Sequence, residues 1–185
     1  VNRLDELFTM YVPDKFFAET EDVTREGMLG GYVHGNEPSH HIPYLYMWTS
    51  QPWKTRLRVR EVMNKMYRNH LDGLCGNDDC GQMSAWYIFS AMGFYPVCPA
   101  SGQYVFGAPY LPENVLHLQN GNTLVIRAPN VSEQNRYIQS VTLNGTPLHT
   151  AYITYEQIMA GGELVFTMGS KPNKKWFTEK PYSLE

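Results

Sequence analysis

Cysteine is scarce. Cys75, Cys80 and Cys98 are the only three in 185 residues, too few for a disulfide-stapled scaffold. Charge is scarce as well: Asp, Glu, Lys and Arg make up 18% of the chain, the formal net charge is −3, and no basic stripe stands out, which excludes a dedicated nucleic-acid binder. The densest basic run, Lys54 to Arg60, is interrupted by Leu57 and Val59 and reads as the solvated side of a helix. No apolar run is long enough to cross a bilayer, and no secretory leader follows Val1. The chain opens inside a helical pattern without an initiator methionine, which suggests a piece of something larger and leaves the compartment open. Internal repeats and low-complexity segments are absent.

Aromatic residues are plentiful at 14%, within a hydrophobic total of 43%, so the chain can bury a core. Most of these rings are expected in that core. A surplus of aromatics over charge also suits a surface that stacks on sugar rings.

The pattern divides near residue 100. Before it, apolar residues recur at helical spacing: a short amphipathic start over Arg3 to Thr9, an aromatic helix over Pro43 to Ser50, a longer helix over Lys54 to Asn69, and another over Met83 to Met92 that Gly93 and Pro96 stop. Trp53, Leu57, Val62, Met63, Met66 and Tyr67 are expected to form the buried face of the longest helix. After residue 100 the period falls to two, with strands over Tyr104 to Ala108, Asn114 to Leu118, Thr123 to Arg127, Tyr137 to Leu143 and Glu163 to Met168. Asn120-Gly121, Asn144-Gly145 and Gly161-Gly162 mark turns, the second of them a hairpin into Pro147–Leu148. The predicted fold class is α+β: helices over 1–99, and a small antiparallel β-sheet or sandwich over 100–185.

Two polar turns lead into aromatic helical segments. One is Tyr32-Val33-His34-Gly35-Asn36-Glu37-Pro38-Ser39-His40-His41, and the other is Gly76-Asn77-Asp78-Asp79-Cys80-Gly81. Adjacent carboxylates before a buried helix have two readings. Asp is a good helix cap and glycine makes turns, so Asp78, Asp79 and Ser39 could simply start helices. Alternatively, rigid carboxylates that are costly to desolvate hold a cation or do chemistry. The oxygens of Asn36 and Glu37 suit calcium, although no EF-hand pattern is present. Zinc is a weaker fit. Cys75 and Cys80 have only His70 near them in sequence, and His40 and His41 are adjacent, so their side chains diverge, and the i, i+4 spacing of a helical zinc pair is absent. The cysteines are expected to be reduced, buried thiols.

Several ordered blocks carry a resemblance. They are Gly35-Asn36-Glu37-Pro38-Ser39-His40-His41, Pro43-Tyr44-Leu45-Tyr46, Gln51-Pro52-Trp53-Lys54-Thr55, Gly73-Leu74-Cys75-Gly76-Asn77-Asp78-Asp79-Cys80-Gly81-Gln82-Met83-Ser84-Ala85-Trp86-Tyr87 and Ala91-Met92-Gly93-Phe94-Tyr95-Pro96-Val97. The stretch from Gly161 to Asn173 belongs with them. Over residues 1–177 the chain resembles glycoside hydrolase family 92, calcium-dependent exo-α-mannosidases that invert anomeric configuration and come mostly from bacteria. The resemblance implies the last helices of an (α/α)6 barrel, followed by C-terminal strands.

It also implies roles by position. Asp79 falls where the general base stands. Asn77 is at a water-holding position that is Asp in many relatives, so a two-Asp arrangement is not preserved, and Asp78 lies between them in the catalytic turn. Asn36, Glu37 and Asp79 lie where a calcium ion (Ca2+) and its waters are held. Substrate contacts are expected from His40, His41 and Trp53 within the matching blocks. The general acid belongs to an upstream motif that nothing here matches. The expected function is therefore hydrolysis of terminal α-linked mannose by a longer enzyme, of the α-1,2 type or a related one, with this chain inactive when isolated. The expected partners are mannose-containing glycans and the rest of the polypeptide, and the expected location is periplasmic, secreted or surface-associated. Apolar faces such as Trp86 and Phe89 are expected to be exposed when the rest of the barrel is missing. The alternative reading is a non-catalytic carbohydrate-binding or interaction module.

Overall fold

Residues 1–13 and 27–184 are described by a computed structural model. Helical spacing gives way to alternation at Gly93, and the architecture follows that change: helices first, then two sheets, an α+β fold. The helical part contains α1 (Asn2–Leu7), a small hairpin of β1 (Met28–Leu29) and β2 (Tyr32–Val33), a 3-10 run over Ile42–Trp48, α2 (Lys54–Met66) and α3 (Gln82–Met92). The aromatic segment expected as an α-helix is this 3-10 run. Its three-residue turn places Tyr44 and Met47 on one face, and both are buried. Ser39 makes no capping bond to it.

The strands are β3 (Phe94–Cys98), β4 (Gln103–Phe106), β5 (Glu113–His117), β6 (Thr123–Arg127), β7 (Tyr137–Leu143), β8 (Thr146–Leu148), β9 (Tyr152–Thr154) and β10 (Gly162–Gly169), with α4 (Tyr155–Ala160) before the last. One sheet has the order β3-β4-β9 and is antiparallel. The other runs β5-β6-β10-β7-β8 and contains the expected Asn144-Gly145 hairpin, with Leu143 opposite Thr146. Its pairs are antiparallel except β10 with β6, because the last strand is inserted in parallel between strands laid down earlier.

The β1–β2 hairpin, β3, β9 and α4 were not anticipated. Gly93 does end α3, at φ 106, with its N–H bonded back to Phe89 and Ser90. Pro96, however, lies inside β3, where the pairing register breaks. Thr154 and Gln157 close a capping box at the start of α4, a spacing visible in the sequence.

The buried face of α2 is the expected one in part: Val62, Met63 and Met66 are buried, while Trp53, Leu57 and Tyr67 are only half-buried. Arg56 (1% exposed) and Arg60 (7%) lie within that face, beside Val59. Flat guanidinium faces can replace aliphatic packing where rings are available. Arg56 Cζ sits 4.9 Å from the Trp176 ring and Arg60 Cζ 4.6 Å from the Tyr110 ring. Arg56 also donates to the Pro52 carbonyl at 3.1 Å, and burial pulls its pKa down to about 9. One apolar cluster runs from Phe8 through Trp86 and Phe106 to Phe166 and Trp176. Trp86 is therefore buried and Phe89 partly so. The apolar side chains left exposed on that side are Leu71, Ile88, Leu111 and Val115.

Candidate active site

A hydrogen-bonded bed lies beneath the two polar turns. The Tyr67 hydroxyl donates to the Met83 carbonyl at 2.9 Å, so toward His34 Nε2, at 2.7 Å, its oxygen must accept. His34 consequently carries its proton on Nε2, and its Nδ1 accepts from the Tyr32 hydroxyl at 2.7 Å. Stacked on His34 with ring centroids 4.7 Å apart, His40 donates from Nε2 to the His34 carbonyl at 2.9 Å. His40 Nδ1 then accepts from Gln82 Nε2 at 3.2 Å, and the same amide nitrogen donates to the Tyr95 hydroxyl at 3.1 Å. Trp86, fully buried, closes the cluster by donating from its indole nitrogen to the His40 carbonyl at 3.0 Å. Burial holds the Tyr32 and Tyr67 phenols well above the usual range and pulls His34 down to about 2. At neutral pH this network orients groups and does not shuttle protons.

The turns meet above that bed. A bridge between Tyr67 and Leu74 folds the 68–73 loop back, so that Gly76 lies against Gly35. A Cβ on Gly76 would stand 2.9 Å from the Gly35 Cα and 3.0 Å from its carbonyl oxygen, both rigid backbone atoms. Gly76→Ala is expected to lower stability by about 1–3 kcal/mol through overpacking. Urea unfolding checks this, and an unchanged midpoint would mean the loops are not pressed together.

At the entrance to α3, Asp79 (φ 45), Cys80 (φ 57) and Gly81 (φ 91) are left-handed in succession. For the two non-glycine residues this costs about 1–2 kcal/mol each. Such strain persists where the surroundings impose it, and it clusters at working sites. Asp78 takes the capping role: its Oδ1 accepts from the Ser84 N–H at 2.9 Å. The Asp79 carboxylate, by contrast, is exposed and makes no hydrogen bond among the described residues. The same holds for the side chains of Asn36 and Asn77, both exposed. Glu37 Oε1 is buried and has no partner. These loops thus present unengaged oxygens over a bed in which nearly every polar group is satisfied. Among the described residues, no three His, Cys, Asp or Glu side chains form a metal site by themselves. A hard cation here would also need amide, backbone or water oxygens.

The structure separates the three expected substrate contacts. His41 is exposed at the rim. His40 is 1% exposed with both ring nitrogens engaged inside the protein, so it positions other groups and cannot reach a sugar. Trp53 caps the start of α2 under the Lys174 ammonium, whereas the site adjoins the far end of that helix at Tyr67. Fourteen residues at 1.5 Å each place the two ends about 20 Å apart. Gln82 was missed as a site residue. With its amide hydrogens directed at His40 and Tyr95, its carbonyl oxygen makes no hydrogen bond among the described residues, and its position directly after the Asp78-Asp79-Cys80-Gly81 turn was the signal in the sequence. The cysteines are all free, as expected, but only Cys75 is partly buried, while Cys80 and Cys98 are exposed.

The family model described as the glycosyl hydrolase family 92 catalytic domain matches residues 1–170. The chain belongs to glycosyl hydrolase family 92. A family GH92 alpha-mannosidase from Bacteroides thetaiotaomicron is 41% identical with a TM-score of 0.88, over 99% of this chain and 24% of that one. Its complex with mannoimidazole matches equally well, at 43% identity, TM-score 0.88, over 95% of this chain and 23% of the other. A family GH92 inverting mannosidase from the same bacterium gives 38% identity and a TM-score of 0.77, over 97% of this chain and 26% of that one. An uncharacterized secreted glycosidase of Arthroderma benhamiae is 29% identical over 184 residues, 89% of this chain and 24% of its own length. This chain therefore spans about a quarter of the length of the relatives it matches. No helix among the described residues is long and apolar enough to cross a membrane.

The histidine bed makes this family 92 chain acid-sensitive. Folded, His34 stays neutral down to about pH 2; unfolded, it takes a proton below its ordinary 6.5. Between those values the unfolded state holds the extra proton, so the stability contribution is complete above pH 6.5 and is lost as pH falls. The loss is about 1.4 kcal/mol per pH unit, or about 2 kcal/mol by pH 5. His40, also depressed by burial, acts in the same direction. The urea midpoint is expected to drop between pH 7.5 and pH 5.0, and a constant midpoint would contradict a buried neutral His34.

Proposed function

We propose that this chain carries the base-and-cation part of the active site of an exo-acting, inverting α-mannosidase. The observation that carries this reading is the set of unengaged oxygens on Asn36, Glu37, Asn77 and Asp79, on loops held together over a satisfied hydrogen-bonded bed. Kinship with family 92 mannosidases supports mannose as the sugar.

In this mechanism Asp79 accepts the proton of the water that attacks the anomeric carbon. Asn77 orients that water, and Asp78 holds the turn by capping α3. An inverting reaction needs a second carboxyl roughly 6.5–9.5 Å from the first, acting as the acid on the leaving oxygen. That acid is proposed to come from the part of the relatives' length that this chain does not span. Calcium fits the donor set: Asn36, Glu37 and Asp79 offer hard oxygens, and the buried, unpartnered Glu37 Oε1 is an atom that a cation would satisfy. When bound, Ca2+ supplies positive charge that orders the vicinal hydroxyls of the sugar. His41, exposed four residues after Glu37, is proposed to meet the substrate.

The helices within residues 1–99 are proposed to be closing helices of an α/α barrel, and residues 100–185, joined by β3 through its pairing with β4, the strands that follow it. The exposed apolar side chains Leu71, Ile88, Leu111 and Val115 would face the rest of such an enzyme. A location outside the cytoplasm is supported by the secreted relative.

Calorimetric titration of the chain with calcium, alone and with mannose, tests the site. Glu37→Gln, which keeps an oxygen but removes the charge, is expected to weaken calcium binding about tenfold or more. Mannose binding that needs neither calcium nor Asp79 would favour a plain carbohydrate-binding module.

A further inference from the structure

Around α2 the charges are unevenly matched. Lys54 is paired with Asp5 at 2.5 Å, and Glu61 is shared by Arg58 and Lys65 at 2.7 Å each. Arg60 and Arg136 are left without a carboxylate partner among the described residues. Arg60 and Asn64 stand one helical turn apart and so project from the same face. With Glu133 and Arg136 they line a polar cavity of about 240 Å³, which adjoins a larger one of about 570 Å³ that also includes Arg60, Asn64 and Arg136.

This cavity is built rather than incidental. Arg60 is only 7% exposed, donates to the Pro109 carbonyl at 2.6 Å and lies over the Tyr110 ring, yet its Nε has no partner. The Tyr110 hydroxyl donates to Asn64 Oδ1 at 3.1 Å, which leaves the Asn64 amide hydrogens to donate elsewhere. The Arg136 side chain makes no hydrogen bond among the described residues. Glu133 is the one carboxylate among the four lining residues. Burial holds Arg60 below its ordinary pKa; the neighbouring Arg136 charge acts in the same direction, and Tyr110 and Glu133 oppose it only in part. An anion between the two guanidiniums would relieve that repulsion and supply their missing acceptors.

We propose that this cavity binds a small tetrahedral oxyanion, phosphate or sulfate, either free or as a monoester on a sugar. The site shares no residue with the two polar loops and does not depend on the mannosidase reading.

The test is calorimetric titration and thermal unfolding of the full chain in phosphate or sulfate, against chloride at matched ionic strength, with glucose 6-phosphate and glucose as further arms. Phosphate is expected to raise the melting temperature. Affinity should fall about tenfold or more in Arg136→Gln and rise in Glu133→Gln, since each charge-assisted contact is strong. Binding of the sugar phosphate as well as the free ion supports an ester as the natural source, and binding of inorganic phosphate alone supports the free ion. No shift beyond the chloride control, or an equal shift in Arg136→Gln, would overturn the proposal.

Discussion

Asp79→Asn is expected to lower turnover by about 10³-fold, in the range that removing a positioned general base costs. The measurement needs a complete site. Replacing the matching quarter of the Bacteroides alpha-mannosidase with this chain, which overlays it over 99% of its residues, supplies one. In that chimera kcat should fall while KM changes little, because the lost interaction forms as water gives up its proton and not as sugar binds. Asp79→Ala adds a chemical check. Azide needs no deprotonation and should restore turnover in the vacated space, forming a mannosyl azide of inverted configuration. A loss below tenfold in an otherwise active chimera would remove Asp79 from the base role.

Trp86→Ala is expected to cost about 3–5 kcal/mol. For a chain of this size that is a fall of roughly 10 °C in melting temperature. The indole is fully buried and touches the rings of His34, His40, Tyr44, Tyr67 and Tyr95. Its removal leaves a cavity and strips the His40 carbonyl of its donor. Because His40 and His34 hold the two loops in place, the variant should also bind calcium more weakly at temperatures where it remains folded. Ile88→Ala, on the exposed side of the same helix, should change stability by less than about 0.5 kcal/mol. A loss below about 1 kcal/mol for Trp86→Ala would mean that the cluster repacks.

Local rules read much of this chain correctly. Helical spacing located α2 and α3, glycine at 93 ended the latter, and Asn144-Gly145 set a hairpin register. Each of these rests on neighbours a few residues away. The aromatic run over Ile42–Trp48 is helical as its spacing suggests, but it winds as a 3-10 helix, a difference the residue types do not reveal. Arg56 and Arg60 were misread because composition treats cations as solvated. Their burial depends on Trp176 and Tyr110, far along the sequence.

The amino-acid order alone determined the family, the α+β class and the two oxygen-rich turns, since motif identity and short-range periodicity are properties of consecutive residues. Only the tertiary structure decided which members of those turns stay free. Asp78 is spent on a helix cap and His40 on its neighbours, while Trp53 is carried away along α2 and Gly35 is pressed against Gly76. Those outcomes follow from packing, in which most buried polar groups find a partner and the oxygens left without one, Glu37 Oε1 among them, are available for chemistry.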